Sequence, residues 1–485
     1  MRQPKALYIL FFTELWERFG FYTLQTILIL YMSKALLYSD KNAYLLYGTF
    51  SSMLYLFPVV GGYVADRYIG YRRAIILGAI LFIIGYVTIA VPKIVFFYLG
   101  LGIIVLGNSF FKPNVSSIVG ELYHQEDPRR EGGFTIFYMG INLGALFPPL
   151  FAGAVVSYWG WQWGFLIAAM GLLIGLTTFL SGRKFLGGSG SLPERSRLRK
   201  NGKSFYLLLI LGVLAGIAII PWIFLFPQEA NYLLIVVTIC IIATVFYFLS
   251  KEHKVQRNKM IACLILIVIS MGFWSIYVQT FTSLMLFADR NMIKHFLGFT
   301  IDAEFTQFFN PFFIIALSPV LSKFWLFLES KKQNPTIPLK FSYGISMMAI
   351  GYFLLAICSK YFSHDGMASP WWLVMSYFLQ TIGELFISPI GLAMITRLVP
   401  KHMMGLMMGV WFLTLSASFA IGGKLATLAS IPKHASLVEA VAIYSHAFLV
   451  FSLFSAALAV VSYCLVPFLN KLIRGDLPES TIKGP

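Results

Sequence analysis

The sequence predicts an all-α polytopic membrane protein, and three observations carry that prediction. Of its 485 residues, 58% are hydrophobic and only 12% charged, and the mean hydropathy is +0.78, far above what a water-soluble globular chain shows. Apolar runs of roughly 20 residues, enough to cross a hydrocarbon layer of about 30 Å, recur from one end to the other. The basic residues behind the net charge of +17 sit mostly in the short connections between those runs. Lipid offers the backbone no hydrogen-bond partner, so the runs must be helices.

Taken in order, the apolar runs and their polar breaks predict 14 helices: near residues 8–32, 42–66, 73–92, 96–118, 133–156, 161–182 and 204–226, then 231–250, 259–286, 302–326, 338–358, 369–397, 403–428 and 443–470. The first carries Glu14, Glu17 and Arg18, so it is not the uninterrupted apolar stretch of a cleaved leader. Basic clusters at Arg72-Arg73, Arg129-Arg130, Arg183 to Lys203, Lys251 to Lys259 and Lys331-Lys332 all fall on one side of this count. The positive-inside rule then puts both termini in the cytoplasm. Cys240, Cys263, Cys358 and Cys464 are scattered through apolar stretches without metal or disulfide spacing and read as small lipid-facing or packing residues.

Setting aside the seventh and eighth helices leaves six before and six after. The division expected is an N-terminal six-helix bundle (1–183), a basic linker with an inserted two-helix hairpin (184–258) and a C-terminal six-helix bundle (259–485). The hairpin, Ser204 to Ser250, holds Glu229 as its one acid and no Asp, Lys or Arg, which makes it peripheral.

Charges inside apolar helices are costly, about 2.5–3.5 kcal/mol each even on the lenient insertion scale, and therefore mark water-filled pathways or mutual pairs. Glu14, Glu17 and Arg18 are related by i+3 and i+4 and share one side of the first helix, with Tyr22 and Gln25 further along it. Lys112 and Glu384 lie within later helices, beside the helix-bending residues Pro113, Gly383 and Pro389, and Asn310-Pro311 breaks another. Static ion pairs would be the plainer use of such charges. A buried pair, however, seldom stabilises more than apolar packing would, and a surplus carboxylate in low dielectric can instead take up a proton. This pattern predicts a secondary transporter. An enzyme would need a nucleophile or metal constellation, and no HExxH, clustered histidines or Ser/His/Asp arrangement is present.

These residues also resemble a known family. ELWERFGFY (Glu14 to Tyr22) resembles the ExxERFxYY signature of the proton-dependent oligopeptide transporter family of the major facilitator superfamily. GGYVADRYIGYRR (Gly61 to Arg73) is similar to the superfamily's loop after its second helix. FFKPNVSSIVGELY (Phe110 to Tyr123), FTIFYMGINLGA (Phe134 to Ala145), FADRN (Phe287 to Asn291), FFNPFFIIALSP (Phe308 to Pro319), SPWWLVMSYFLQTIGELFISPIGL and GLMMGVWFLT continue the likeness in order. It implies a major facilitator fold of two six-helix bundles plus an inserted pair, working by alternating access as a proton-coupled symporter of di- and tripeptides. Glu14, Glu17 and Arg18 match the proton-coupling motif. Tyr22, Gln25, Tyr55, Lys112, Asn142, Gln279, Asn310, Glu384 and Trp411 match or replace cavity positions, and Gly62, Asp66 and Arg67 match the gating loop. No metal and no cofactor besides the coupling proton is implied. The expected partners are small peptides and membrane lipid, not nucleic acid, for a monomer in a bacterial inner membrane.

Two positions depart from the pattern. Gln25 stands where peptide-carrying relatives have an arginine, and Val278-Gln279 where they have an acid. The two losses are coherent, because keeping either would strand a charge. They predict that Gln25 and Gln279 face each other as neutral groups and that Lys112 alone, or with Arg18, holds a substrate carboxylate. A proton-coupled carrier of another small anion or amino-acid-like solute is the alternative.

Overall fold

A computed structural model of the chain describes residues 3–124, 127, 129–192 and 202–474. Fourteen membrane-length helices follow one another: α1 (Lys5–Leu30), α2 (Asp40–Ile69), α3 (Tyr71–Ile89), α4 (Ile94–Glu121), α5 (Arg130–Trp159), α6 (Trp161–Leu186), α7 (Gly202–Leu225), α8 (Pro227–Lys251), α9 (Lys254–Asn291), α10 (Ala303–Ser330), α11 (Ile337–Tyr361), α12 (Pro370–Leu398), α13 (Met404–Ala429) and α14 (Leu437–Arg474). Among the described residues, twelve of them are long and apolar enough to cross a membrane. The interior of α1 is interrupted by Glu14, Glu17 and Arg18. In α8 many side chains, Glu229 and Cys240 among them, lie outside the described residues, as does 193–201 of the basic linker.

Alternating helix direction puts the ends of α1, α3 and α5 that begin the chain's passes on the same side as residue 474, here called the terminal end; the other side is the far end. In the first half α1 packs on α5 and α6, and α3 on α4 and α6; in the second, α11 packs on α12 and α14 and α9 on α13. Small residues allow the closest approaches. Gly144 of α5 sits against the α1 backbone, where a side chain would come within 2.8 Å of Arg18 Cβ. That approach fixes the height of Arg18 in the bundle. Helix α7 packs on α4, and α8 touches both α2 and α13, so the inserted pair lies along the edge of the seam between the halves.

The ties across that seam gather toward the far end. Arg290, at the end of α9, donates to both carboxylate oxygens of Asp40 at the start of α2, at 2.6 and 2.8 Å. Lys34 Nζ lies 2.6 Å from Asp289 Oδ1, and the Ser52 and Ser416 hydroxyls meet at 2.8 Å. Gly153 of α5 abuts the Asp302 and Glu304 side chains, which follow a short hairpin pairing His295–Phe296 with Phe299–Thr300. Leu297 and Gly298 both take positive φ there, as a two-residue turn requires. The hydropathy reading shows nothing of this hairpin.

Glycine permits a close backbone approach across the seam. A Cβ at Gly48 would lie 2.8 Å from Gly423 Cα and 2.9 Å from Phe419 O, backbone atoms that move only with α13 itself. Overpacking of this kind costs about 1–3 kcal/mol. Gly48→Val is therefore expected to depopulate this seam-closed arrangement and to lower transport roughly 5- to 100-fold with the protein still inserted. Uptake normalised to the amount of protein in the membrane measures this, and unaltered uptake would show that the α2–α13 seam need not close this tightly.

Candidate functional site

Arg18 anchors the site. It is 3% exposed, between Glu17 at 1% and Glu14 at 3%. Its Nε donates to Glu17 Oε2, its Nη2 reaches Glu17 Oε1 at 2.6 Å, and its Nε lies 3.5 Å from Glu14 Oε1. The guanidinium also lies over the Phe21 ring, 4.6 Å from its centroid. Glu17 is thus held in a two-pronged pair, whereas Glu14 Oε2 is buried with no hydrogen-bond partner among the described residues. An ionised carboxylate oxygen left in that position is costly, and a proton removes the charge.

Glu14 and Arg18 border a cavity between the bundles, built of two adjoining lobes of about 250 and 240 Å³, and Glu17 stands behind Arg18, off the cavity wall. Lys112 from α4 and Glu384 from α12 line both lobes from opposite bundles. Lys112 Nζ sits 4.5 Å from the centroid of the Tyr55 ring, and among the described residues no carboxylate lies within 4.0 Å of it. Pro113 follows Lys112 inside α4. Glu384 accepts a hydrogen bond from Asn310 Nδ2 at 2.8 Å, and the same amide lies 3.2 Å from Thr381 Oγ1. The start of α10, a 3₁₀ turn at Ala303–Phe308 leading into α-helix, presents Asn310 to that carboxylate.

Tyr22, Tyr55, Asn142, Asn310 and Trp411 all line the cavity, as the sequence suggests. Asn142 Nδ2 bonds back to Tyr138 O at 3.0 Å, and Trp411 closes over Gly391, whose missing side chain makes room for the indole. Gln25 also lines one lobe, where it accepts a hydrogen bond from the Tyr47 hydroxyl.

Gln279 corrects the expectation. It is fully buried off the cavity wall, donating to Gly422 O at 2.9 Å and accepting from Ser283 Oγ at 2.8 Å. Its predicted pairing with Gln25 does not occur, because each amide is engaged elsewhere. The physical reason is a break in α9: the helix tightens to a 3₁₀ turn at Val278–Phe281 and restarts at Ser283. The tightening changes the angular step between residues and turns position 279 toward α13, leaving Tyr277 and Phe281 on the cavity.

Gly62, Asp66 and Arg67 lie away from the cavity, at the terminal end of α2, where the helix finishes in a wide π turn at Ala65–Ile69. Arg67 Nη1 is 3.2 Å from the Tyr63 hydroxyl on that surface. In the loop between α4 and α5, Arg129 hydrogen-bonds to Asp127 and holds its carboxyl down to about 2, so this acid stays charged throughout the physiological range.

Several cavity residues escaped the sequence reading: Tyr138, Tyr277, Phe281 and Ser388 on the walls. The chain holds 25 tyrosines and 46 phenylalanines, and no spacing separates these few from packing aromatics. The Asp40–Arg290 tie was legible only as the arginine of FADRN, without its partner.

Comparison with known proteins places this arrangement. A sequence model described as the POT family matches residues 72–442. The chain belongs to the POT family. The matched stretch includes Lys112, Asn142, Asn310, Glu384 and Trp411. Full-length relatives extend it: dipeptide and tripeptide permease B of Salmonella typhimurium is 36% identical over 481 residues, covering 98% of this chain and 97% of that one. The permease of the same name from Aeromonas hydrophila is 36% identical over 485 residues, covering 99% and 96%. Among solved POT structures, a peptide transporter in complex with sulfate superposes with a TM-score of 0.84 at 32% identity, covering 97% of this chain and 96% of that chain. A POT family transporter in complex with 5-aminolevulinic acid gives 0.83 at 29% identity, with 97% of each chain covered. The POT fold therefore extends over 97% of the chain, a span too long to leave out the inserted pair.

Proposed function

We propose that this POT protein is a proton-coupled symporter of di- and tripeptides, working by alternating access in a bacterial inner membrane with both termini in the cytoplasm. The observation that carries the proposal is the pairing, across one cavity, of a free ammonium on the first bundle with a carboxylate on the second, beside a buried carboxylate–guanidinium cluster. A short zwitterionic peptide complements such a cavity, its carboxylate toward Lys112 and its amino group toward Glu384, with Tyr22, Tyr55 and Trp411 around its side chains. The relatives' names as dipeptide and tripeptide permeases support the same substrate class.

Charge balance gives the proton its place. Glu14, Glu17 and Glu384 against Arg18 and Lys112 leave the group one negative charge in excess when all are ionised. One proton neutralises it, and a zwitterion adds no net charge. Glu14, with its unpartnered oxygen, is the acceptor proposed. Protonation frees Arg18 from one of its two carboxylates, while the peptide engages Lys112 and Glu384. With the far-end ties Arg290–Asp40 and Lys34–Asp289 in place, the arrangement seen here is closed on the far side, and by the positive-inside rule it is the one that faces the cytoplasm. Because one chain supplies the whole cavity, one copy suffices.

One positive charge falling through 100 mV is worth about 2.3 kcal/mol, or roughly 50-fold accumulation of a neutral substrate. Purified protein in liposomes with an inward proton gradient is expected to concentrate a labelled dipeptide and to stop when a protonophore is added. Unlabelled tripeptides should compete and free amino acids or other small anions should not; the reverse order of competition would favour the carrier of another solute, and protonophore-insensitive flux would exclude proton coupling.

A further inference from the structure

We propose that the terminal end of α3 and α6 carries a binding site for the phosphate headgroup of an anionic phospholipid, distinct from the transport cavity. A concavity of about 330 Å³ opens there, lined by Arg72, Arg73 and Arg183 above and Ile76 and Phe179 below. The vertical order matters. Ile76 follows Arg72 by four residues on α3, and Phe179 precedes Arg183 by four on α6, so the apolar floor lies one helical turn, about 5.4 Å, deeper in the membrane than the guanidinium groups. A phosphate among the arginines therefore leaves its acyl chain against Ile76 and Phe179.

The three arginines have different tasks. Arg72 is structural: its Nε donates to Ser189 O at 2.6 Å, and its backbone N–H to Gly190 O at 3.1 Å, which folds the start of the linker back over α3. Glu121, the acid that also acts on Arg72, has its Oε2 taken by Gly190 N at 2.6 Å. Arg73 and Arg183 are exposed and have no hydrogen-bond or ion-pair partner among the described residues. Arg183 acts repulsively on Arg72. Three like charges round a concavity whose described lining holds no acid, with Glu121 engaged by Gly190 N beside it, call for an anion, and the apolar floor at membrane depth selects one that carries a hydrocarbon chain.

The test uses the full-length protein in a neutral detergent, read by native mass spectrometry for bound lipid. Phosphatidylglycerol is expected to bind in preference to phosphatidylcholine of the same chains. The double variant Arg73→Gln with Arg183→Gln should lose that preference by roughly 30-fold, at about 1 kcal/mol per basic residue. Arg72 is left intact because it holds the linker. A control, Lys331→Gln with Lys332→Gln on the other bundle, removes the same charge and should keep the preference. The proposal is overturned if both double variants lose binding alike, if neither does, or if inorganic phosphate at the same concentration displaces the lipid, which would mark a simple anion site. Dipeptide uptake by the variant reports separately on the transport cavity, so failure here leaves the transport assignment standing.

Discussion

Glu14→Gln is expected to abolish concentrative uptake while leaving exchange of labelled for unlabelled peptide within a few fold of the unaltered protein. The reasoning rests on the asymmetry of the α1 cluster. Glu17 grips Arg18 with both oxygens, and Glu14 offers one oxygen at 3.5 Å and leaves the other without a partner. Glutamine at 14 keeps size and polarity but cannot change charge, so the carrier still turns over yet no longer takes a proton with each turn. Accumulation should fall by the whole of the roughly 50-fold that one proton supplies at 100 mV. Glu17→Gln makes the informative contrast. It breaks a two-pronged buried pair, a change that typically costs about 3–5 kcal/mol, and should depress exchange and accumulation together. Measuring both fluxes in both variants separates the roles. Should Glu14→Gln accumulate peptide normally while Glu17→Gln exchanges without accumulating, the acceptor is Glu17 and the assignment is reversed.

How much of this site could be read beforehand depends on the kind of signal each residue leaves. A charge in an apolar helix stands out because the composition around it is uniform, so Glu14, Glu17, Arg18, Lys112 and Glu384 were all legible; the structure brings four of them round one cavity and pairs the fifth, Glu17, with Arg18 behind its wall. Helix positions were legible for the same reason: each predicted span overlaps an observed one, with ends displaced by several residues where amphipathic turns such as Ala65–Ile69 extend a helix beyond its apolar stretch. What depends on backbone phase was not. Extrapolating a regular helix through 259–286 aims Gln279 at the cavity, and only the 3₁₀ turn at Val278–Phe281 redirects it. Long-range partners were equally hidden, since Asp40 and Arg290 are 250 residues apart and neither apolar periodicity nor charge spacing relates them. The aromatic walls fall between these cases. Their residue types suit a peptide site, but identical types fill the core of every helix.

The second large effect concerns the cation that faces the substrate. Arg18 is committed to Glu17, and Gln25 offers no charge, so Lys112 is the cavity's one ammonium or guanidinium without a carboxylate partner among the described residues. Its contact with the Tyr55 face holds it in place without neutralising it. A peptide carboxylate arriving there forms a charge-assisted hydrogen bond, and truncating one partner of such a buried pair costs about 2–5 kcal/mol. Lys112→Gln is thus expected to lower dipeptide uptake by at least about 30-fold. The same loss would follow from a merely structural role, so the decisive measurement is a cycle. A dipeptide and its C-terminal amide are compared in both proteins: the unaltered carrier should favour the free acid strongly, and Lys112→Gln should treat the two almost alike, because the group that distinguished them has gone. Lys112→Arg should restore part of the preference, limited because the longer side chain and fixed fork of a guanidinium do not place their donors where the compact ammonium stands. If Lys112→Gln still prefers the free acid as strongly as before, the carboxylate is held elsewhere in the cavity, with Arg18 the remaining candidate, and a substrate-driven release of Arg18 from Glu17 would then have to replace proton-driven release as the first step of the cycle.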